Sequence, residues 1–144
     1  AALFIDSNDM PRDIDWFEVK KDAGLSYKSL VLNYMDNDSF LAELLNNPKA
    51  TGKPGVVSTI AARCRSSRIL SIIANRRDLY TGFSNKEVPY NLLTNPTRTS
   101  VSSIRKFIHV RYLDRITLQR LAGRGSPARE EVRREIARYL NSLG

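Results

Sequence analysis

Apolar residues recur every three or four positions through most of the chain, which is the spacing of an amphipathic α-helix. One such row is Val56, Ile60 and Cys64. No segment shows the convincing period of two that marks a half-buried strand. The pattern therefore predicts an all-α fold, with helices at residues 25–35, 38–46, 55–66, 67–75, 86–95, 101–112, 115–123 and 127–142.

The apolar pattern repeats at an offset of 48 residues, at which residues 44–51 (LLNNPKAT) correspond to residues 92–99 (LLTNPTRT). Further matches follow without a gap: Val56 with Ile104, Arg63 with Arg111, Leu70 with Leu118, Arg76 with Arg124 and Glu87 with Glu135. The Asn-Pro step ends a helix, because the residue before proline disfavours helical backbone. The chain is thus predicted to hold two units, at 44–92 and 92–140, which should stack because neither can bury its apolar face alone.

Polar residues mark where several of these helices are expected to begin. Asn37 or Asp38 can cap the helix at 38–46. Asn85 can cap the helix at 86–95, which places Pro89 near the first turn, where N–H groups have no helical acceptor. Ser126 is expected to cap the last helix, with a proline in its first position.

On the Leu-Leu-x-Asn-Pro motif and the helical period, the chain resembles HEAT-like and armadillo-like helical repeats over residues 37–142. It is also similar to the bacterial leucine-rich-repeat-variant type, with its short paired helices. Its period is slightly longer than the usual HEAT unit of about 40–47 residues, and the standard HEAT signature is absent. The resemblance implies a short right-handed α-solenoid at 37–144 that binds macromolecules along one surface, preceded by an acidic segment and first helix at 1–36.

Charge is unevenly placed along the chain. Residues 1–48 carry 4 Lys/Arg against 9 Asp/Glu, whereas residues 49–144 carry 19 against 6. This asymmetry favours a polyanion or an acidic protein as the binding partner, or an intramolecular contact between the acidic and basic parts of the chain. No apolar run reaches the roughly 18 residues that span a bilayer, and the single cysteine fits a reducing compartment. We therefore expect a cytoplasmic protein with no membrane contact.

Residues that could carry catalysis or hold a metal are few. The one histidine, His109, and the one cysteine fall at routine positions of the repeat and outside any cluster with metal-ligand spacing, so both are expected to be structural. The acidic N-terminus (Asp6, Asp9, Asp13 and Asp15) lacks the glycine turn and closing glutamate of a calcium loop. We therefore expect no catalytic residue, no metal and no cofactor.

Arginine is the residue type that points to a binding surface, since 16 Arg stand against 7 Lys. Equivalent arginines of stacked units would form a ladder, and a guanidinium binds carboxylate or phosphate through a two-pronged fork. Alternatively, Arg63 and Arg76 bond to helix C-terminal carbonyls or acidic neighbours inside the stack. The residues predicted to bind a partner or an anion are Arg63, Arg68, Arg76, Arg77, Arg111, Arg115 and Arg124.

Base stacking would need exposed aromatic side chains among these arginines. Phe107 and Tyr112 lie in helical sequence and are expected in the core. Tyr80 and Phe83 lie in a loop, where they can be exposed. Tyr90 is also available.

The first hypothesis for function is a non-enzymatic protein-interaction scaffold that meets an acidic protein surface, because the repeat is the clearest pattern. The alternative is a nucleic-acid-binding module, whose affinity would fall steeply with salt. A third hypothesis, a DNA-repair glycosylase on a HEAT-like scaffold, needs a catalytic carboxylate in an aromatic-lined cleft. Asp15 and Trp16 are the only close pair, and their adjacency points them in different directions. The partner's identity and the oligomeric state stay open.

Overall fold

The computed structural model describes residues 31–53, 55–82, 85–110 and 112–143. Within these ranges it has no β-strand, so the prediction of an all-α fold is confirmed. Eight α-helices are described from end to end: α1 Asp38–Leu45, α2 Pro48–Thr51, α3 Val56–Arg63, α4 Ser67–Asn75, α5 Val88–Thr94, α6 Val101–Phe107, α7 Arg115–Ala122 and α8 Glu130–Ser142. A single turn of 3-10 helix, Arg77–Leu79, follows α4.

The helices share one apolar core. α1 packs on α2 and α4, and α3 packs on α4 and α5. α6 lies on α4, and α8 packs on both α6 and α7. Phe40, Ile60 and Ile73 are fully buried in the first half, as is Ile136 in the second. Burial of each such side chain stabilises the fold by about 1.5–3 kcal/mol.

Most helix bounds follow the amphipathic pattern. The helices predicted at 38–46, 67–75, 86–95 and 115–123 correspond to α1, α4, α5 and α7 within two residues at each end. The helix predicted at 101–112 stops at Phe107, because the next backbone hydrogen bonds span three residues instead of four, and the chain turns. The helix predicted at 25–35 lies mostly outside the described residues.

Two of the predicted starts agree with the structure. The Asn37 side chain caps α1 by accepting a hydrogen bond from the Phe40 N–H at 3.0 Å. Pro89 is the second residue of α5, where its missing N–H costs no helical hydrogen bond. Local chemistry therefore sets these two helix ends.

Two other predicted caps are wrong. Asn85 is buried and donates to the Thr51 carbonyl at 3.3 Å, so its amide serves a tertiary contact and no cap. Ser126 forms a local turn, in which its hydroxyl accepts from the Ala128 N–H at 3.0 Å. That turn keeps the next residues out of the helix, and α8 begins only at Glu130.

The two predicted units pack alike at one contact and differently at another. α3 packs on α5, and their nearest counterparts in the second unit, α6 and α8, also pack together. α1 contacts α4 directly, and the Ser66 hydroxyl at the start of α4 donates to Asp38 at 2.8 Å. At the same offset, α1 and α4 correspond to α5 and α7, and residues of both α5 and α7 line one cavity.

The described helices are short. The longest, α8, has 13 residues. None of the helices in the described ranges has both the length and the apolar character needed to cross a bilayer.

Candidate functional site

Three adjoining cavities run along α5, and we call them together the α5 groove. The first, of about 280 Å³, lies between α3 and α5 and is lined in part by Arg63. The second, of about 530 Å³, shares Glu87 and Asn91 with the first. The third, of about 320 Å³, shares Tyr90 and Thr117 with the second and reaches the end of α7. Neighbouring cavities therefore share lining residues all the way from α3 to α7.

Side-chain amides fix α5 against α3 and so form one wall of the α5 groove. Asn91 donates to the Ser58 carbonyl at 3.0 Å. Asn95 is buried just past the end of α5, and its amide donates to the carbonyls of Ala61 and Cys64, both at 2.9 Å. Because these carbonyls lie at the end of α3, where they have no helical partner, Asn95 satisfies them from the neighbouring helix.

Tyr90 and Tyr112 line the middle of the α5 groove. Tyr90 lies on α5 and is 42% exposed. Tyr112, expected in the core, is only half-buried and lines the 530 Å³ cavity with Tyr90. The aromatic surface that base stacking or partner packing would use is thus centred on α5.

The loop aromatics do not provide that surface. Tyr80 is buried, with its ring centroid 5.9 Å from that of Phe107 and its hydroxyl donating to the Lys106 carbonyl at 3.5 Å. The expected exposure of Tyr80 is wrong because it directly follows the 3-10 turn and packs on α6. Burial also raises the pKa of Tyr80. Phe107 is buried as expected, and Phe83 lies outside the described residues.

Two of the seven predicted binding arginines line the α5 groove: Arg63 at the end of α3, and Arg124 beyond the end of α7. Arg111 lies outside the described residues. Three more are exposed on the surface outside the groove: Arg68, Arg77 and Arg115. The structure thus brings part of the predicted set to one groove and leaves the rest dispersed.

Arg76, the seventh, is held by the chain itself. Its Nη1 donates to the Leu45 carbonyl at 2.8 Å and to the Asn46 side chain at 3.1 Å. Its Nη2 and Nε bond to the Asp78 carboxylate at 2.8 and 3.4 Å. Leu45 is the last residue of α1, so Arg76 joins a helix C-terminus to an acidic neighbour, as the alternative interpretation of the arginines expects.

Arg124, the counterpart of Arg76, has no hydrogen bond or ion pair with any residue that the structure describes. It lines the third cavity together with Arg120, which lies four residues earlier, on α7, and with Ser126. Arg120 is not among the predicted site residues. A second arginine four residues before Arg124 is the only signal in the sequence, and it is a weak one because α7 ends at Ala122, so the two arginines do not share a helix face.

Other arginines of the second half are paired with glutamates. The contacts are Arg105–Glu135, Arg138–Glu135 at 3.7 Å, Arg134–Glu130 at 2.7 Å and Arg129–Glu131 at 3.6 Å. The hydrogen bond to Glu135 also raises the pKa of Arg105. Within the described residues of α7 and α8, the arginines without an ion pair are Arg115, Arg120 and Arg124 on α7 and beyond its end, and Arg133 on α8, whose buried Nε has no hydrogen-bond partner.

Cys64 and His109 are the other side chains that the sequence offered for catalysis. Cys64 is a buried free cysteine, and burial raises the pKa of its thiol, which disfavours the nucleophilic thiolate. His109 is exposed. No group of three or more His, Cys, Asp and Glu residues that could hold a metal occurs in the described ranges, and the acidic N-terminal residues, with Asp15 and Trp16, lie outside them.

The chain matches no protein-family model, no curated protein and no solved structure. The chemistry of the α5 groove is therefore the guide to function. Guanidinium groups lie in its two outer cavities, and tyrosines lie between them. This arrangement suits an extended ligand that carries negative charge and some apolar or aromatic surface.

Proposed function

We propose that this protein is a non-enzymatic helical binding module that holds an acidic segment of a protein partner in the α5 groove. The observation that carries the proposal is the series of adjoining cavities that runs from Arg63, past Tyr90, to Arg120 and Arg124. Arginine and tyrosine are the residue types that dominate protein–protein binding energy. An acidic segment would complement the charge of the third cavity, which is lined by Arg120 and Arg124 and by no carboxylate, whereas the first cavity is lined by both Arg63 and Glu87.

The finer fold proposal is a short HEAT-like α-solenoid. It is supported by the constant offset between the two units in the sequence and by the shared packing of α3 on α5 and of α6 on α8. A stack of helical units presents an extended surface, which suits a binding module better than an enclosed catalytic pocket. The buried free thiol of Cys64 supports the reducing cytoplasm as the proposed location.

A nucleic-acid-binding module is the second candidate, and Tyr90 is the observation that favours it. Its exposed ring lies between arginines, as in proteins that stack the bases of single strands on aromatic side chains. We place this candidate second because only one strongly exposed aromatic side chain occurs in the described part of the groove. A protein segment needs no series of stacking platforms.

The two candidates are separated by fluorescence anisotropy of labelled ligands titrated with the full chain at three salt concentrations. The probes are a peptide of Asp-Asp-Phe repeats, the same peptide with Asn in place of Asp, and single-stranded oligothymidylate. We expect the Asp peptide to bind and the Asn peptide to bind much more weakly. Tighter binding of oligothymidylate, with an affinity that falls steeply with salt, would favour the nucleic-acid candidate instead.

A matched pair of double variants tests the groove itself. Arg63→Gln with Arg124→Gln removes two charges from the α5 groove, and Arg68→Gln with Arg77→Gln removes two exposed charges outside it. We expect the first pair to weaken peptide binding and the second to have little effect. Equal losses would show that overall charge, and not the groove, attracts the peptide. Absence of any binding at low salt would overturn both candidates.

A further inference from the structure

In the first unit, a carboxylate completes the contact between α1 and α4. Arg76 follows α4 directly and bonds to the end of α1 through Leu45 and Asn46. Its remaining nitrogens are taken by Asp78, two residues later, in a two-pronged contact. The guanidinium of the first unit therefore has its anion inside the same chain.

The second unit keeps the arginine and lacks that anion. At the offset of the sequence repeat, Arg76 corresponds to Arg124, whereas Asp78 corresponds to Ser126. The same offset matches Ile72 with Arg120. At these two pairs of positions, the second unit therefore has one more cation and one fewer carboxylate than the first. A neutral hydroxyl and a second guanidinium thus stand where the first unit neutralises its own charge.

A cavity lies at that position. The third cavity of the α5 groove, about 320 Å³, is lined by Arg120, Arg124, Ser126 and Tyr90. Both arginines are exposed, and neither has an ion pair with a residue that the structure describes. Both guanidinium groups line the same cavity, and like charges at short range repel each other unless a counter-charge lies between them. The Ser126 oxygen accepts from the Ala128 N–H, which leaves its own proton for an acceptor in the cavity.

We propose that the third cavity is a carboxylate-binding site, in which an aspartate or glutamate side chain of the protein partner takes the role that Asp78 has in the first unit. The inference rests on the proposed function and names the part of the groove that recognises acidic side chains. The carboxylate accepts hydrogen bonds from the Arg124 and Arg120 guanidinium groups and from the Ser126 hydroxyl. An apolar neighbour in the partner segment packs on Tyr90.

Ser126→Asp is the decisive variant, because it supplies the missing carboxylate from within the chain. We expect the affinity for the Asp-Asp-Phe peptide to fall by about tenfold, since Arg124 is then occupied as Arg76 is. Gln119→Glu is the matched control: it adds the same charge to an exposed position on α7 outside the groove. We expect that control to change the affinity by less than about twofold.

A second matched pair removes charge in place of adding it. Arg124→Gln takes a guanidinium from the cavity, and Arg115→Gln takes one from the other end of α7. We expect a loss of about tenfold for the first and less than about twofold for the second. Thermal unfolding of each variant separates loss of the site from loss of the fold, and Ser126→Asp is expected to keep or raise the Tm.

The possible outcomes distinguish the site from the broader proposal. Equal effects within each matched pair would overturn the carboxylate site while leaving the binding module intact. If the wild-type chain binds no acidic peptide, the site and the proposed function both fail. If Ser126→Asp weakens oligothymidylate binding more than peptide binding, the cavity takes a phosphodiester, and the carboxylate assignment is overturned.

Discussion

The end of α4 and the end of α7 occupy equivalent positions in the sequence repeat, and each is followed by an arginine. Arg76 is half-buried and bonded to a helix carbonyl, an amide and a carboxylate. Arg124 is exposed and lines a cavity. The neighbours decide the difference, because Asp78 is replaced by Ser126. A repeated residue therefore stabilises the fold in one unit and is available to a partner in the other.

The same contrast holds for the helices that carry these arginines. α4 packs on α1, α3 and α6 and is therefore central, whereas α7 packs mainly on α8. The side of α7 that faces α5 borders the groove. α1 packs directly on α4, whereas α5 and α7, which correspond to them at the offset of the repeat, both line a cavity, and this cavity is where we place the partner.

The largest expected effect is a loss of folding stability, and it compares how tightly the cores of the two units are packed. Ile73 and Leu121 occupy equivalent positions of the sequence repeat; Ile73 is 0% exposed, and Leu121 is 3% exposed but lines the third cavity. Ile73→Ala should lower the free energy of unfolding by about 2–5 kcal/mol. Leu121→Ala should cost less, because one side of Leu121 already borders open space. Urea unfolding measures both, and equal losses would mean that the two units are packed equally tightly.

The next effect concerns the link between the units. Asn95→Ala leaves the Ala61 and Cys64 carbonyls without their side-chain donor, and buried polar groups without partners cost about 1–3 kcal/mol each. We expect the free energy of unfolding to fall by about 2 kcal/mol or more. Asn91→Ala, which removes one bond from a half-buried site, is the control. A loss no larger than that of the control would contradict a special role for Asn95.

The sequence could predict the helices because their determinants are local. The apolar stripe of residues 67–75 coincides with α4, and the Asn37 cap needs only a side chain three residues from its donor. The Leu-Leu-x-Asn-Pro motif marks helix ends, but the contacts of Asn95 with α3 join distant parts of the sequence and leave no local pattern.

The candidate site was predictable only in part for the same reason. The excess of arginine is visible in the sequence, whereas the pairing of individual arginines is not. Arg105 and Glu135 are 30 residues apart, and only the packing of α6 on α8 brings them together. The packing of the helices decides which arginines stay unpaired. It also decides that Tyr90 is exposed and Tyr80 is buried.

A smaller effect is expected from making the first unit resemble the second. Asp78→Ser removes the carboxylate from Arg76 but leaves the bonds to Leu45 and Asn46. Because the two side chains are 35% and 64% exposed, solvent screens their ion pair, and we expect a loss of only about 0.5 kcal/mol. Unfolding at low and high salt measures it; the difference from wild type should shrink at high salt. A loss comparable to that of Ile73→Ala would show that Asp78 is central to the α1–α4 contact.

The smallest effect concerns the helix caps, which differ in charge between the units. Ser66 caps α4 by accepting from the Ile69 N–H at 3.3 Å, and its equivalent Asp114 caps α7 by accepting from the Thr117 N–H at 2.8 Å. The backbone hydrogen bond from Thr117 is the main reason why the pKa of Asp114 lies below its usual range, and the charge of Arg120 contributes. The cap of the second unit is therefore the one that titrates.

The sign of its pH dependence follows from the lowered pKa. The Asp114 cap stabilises the folded chain above the pKa that aspartate has in the unfolded chain, about 3.9. This contribution is lost as the pH falls through the lower value of the folded chain. Asp114→Ser copies the neutral cap of α4, so its Tm should decline less than that of the wild type between pH 5 and pH 2. If the Tm of the two proteins declines equally between pH 5 and pH 2, the charge on Asp114 adds no stability, and the caps of α4 and α7 are equivalent.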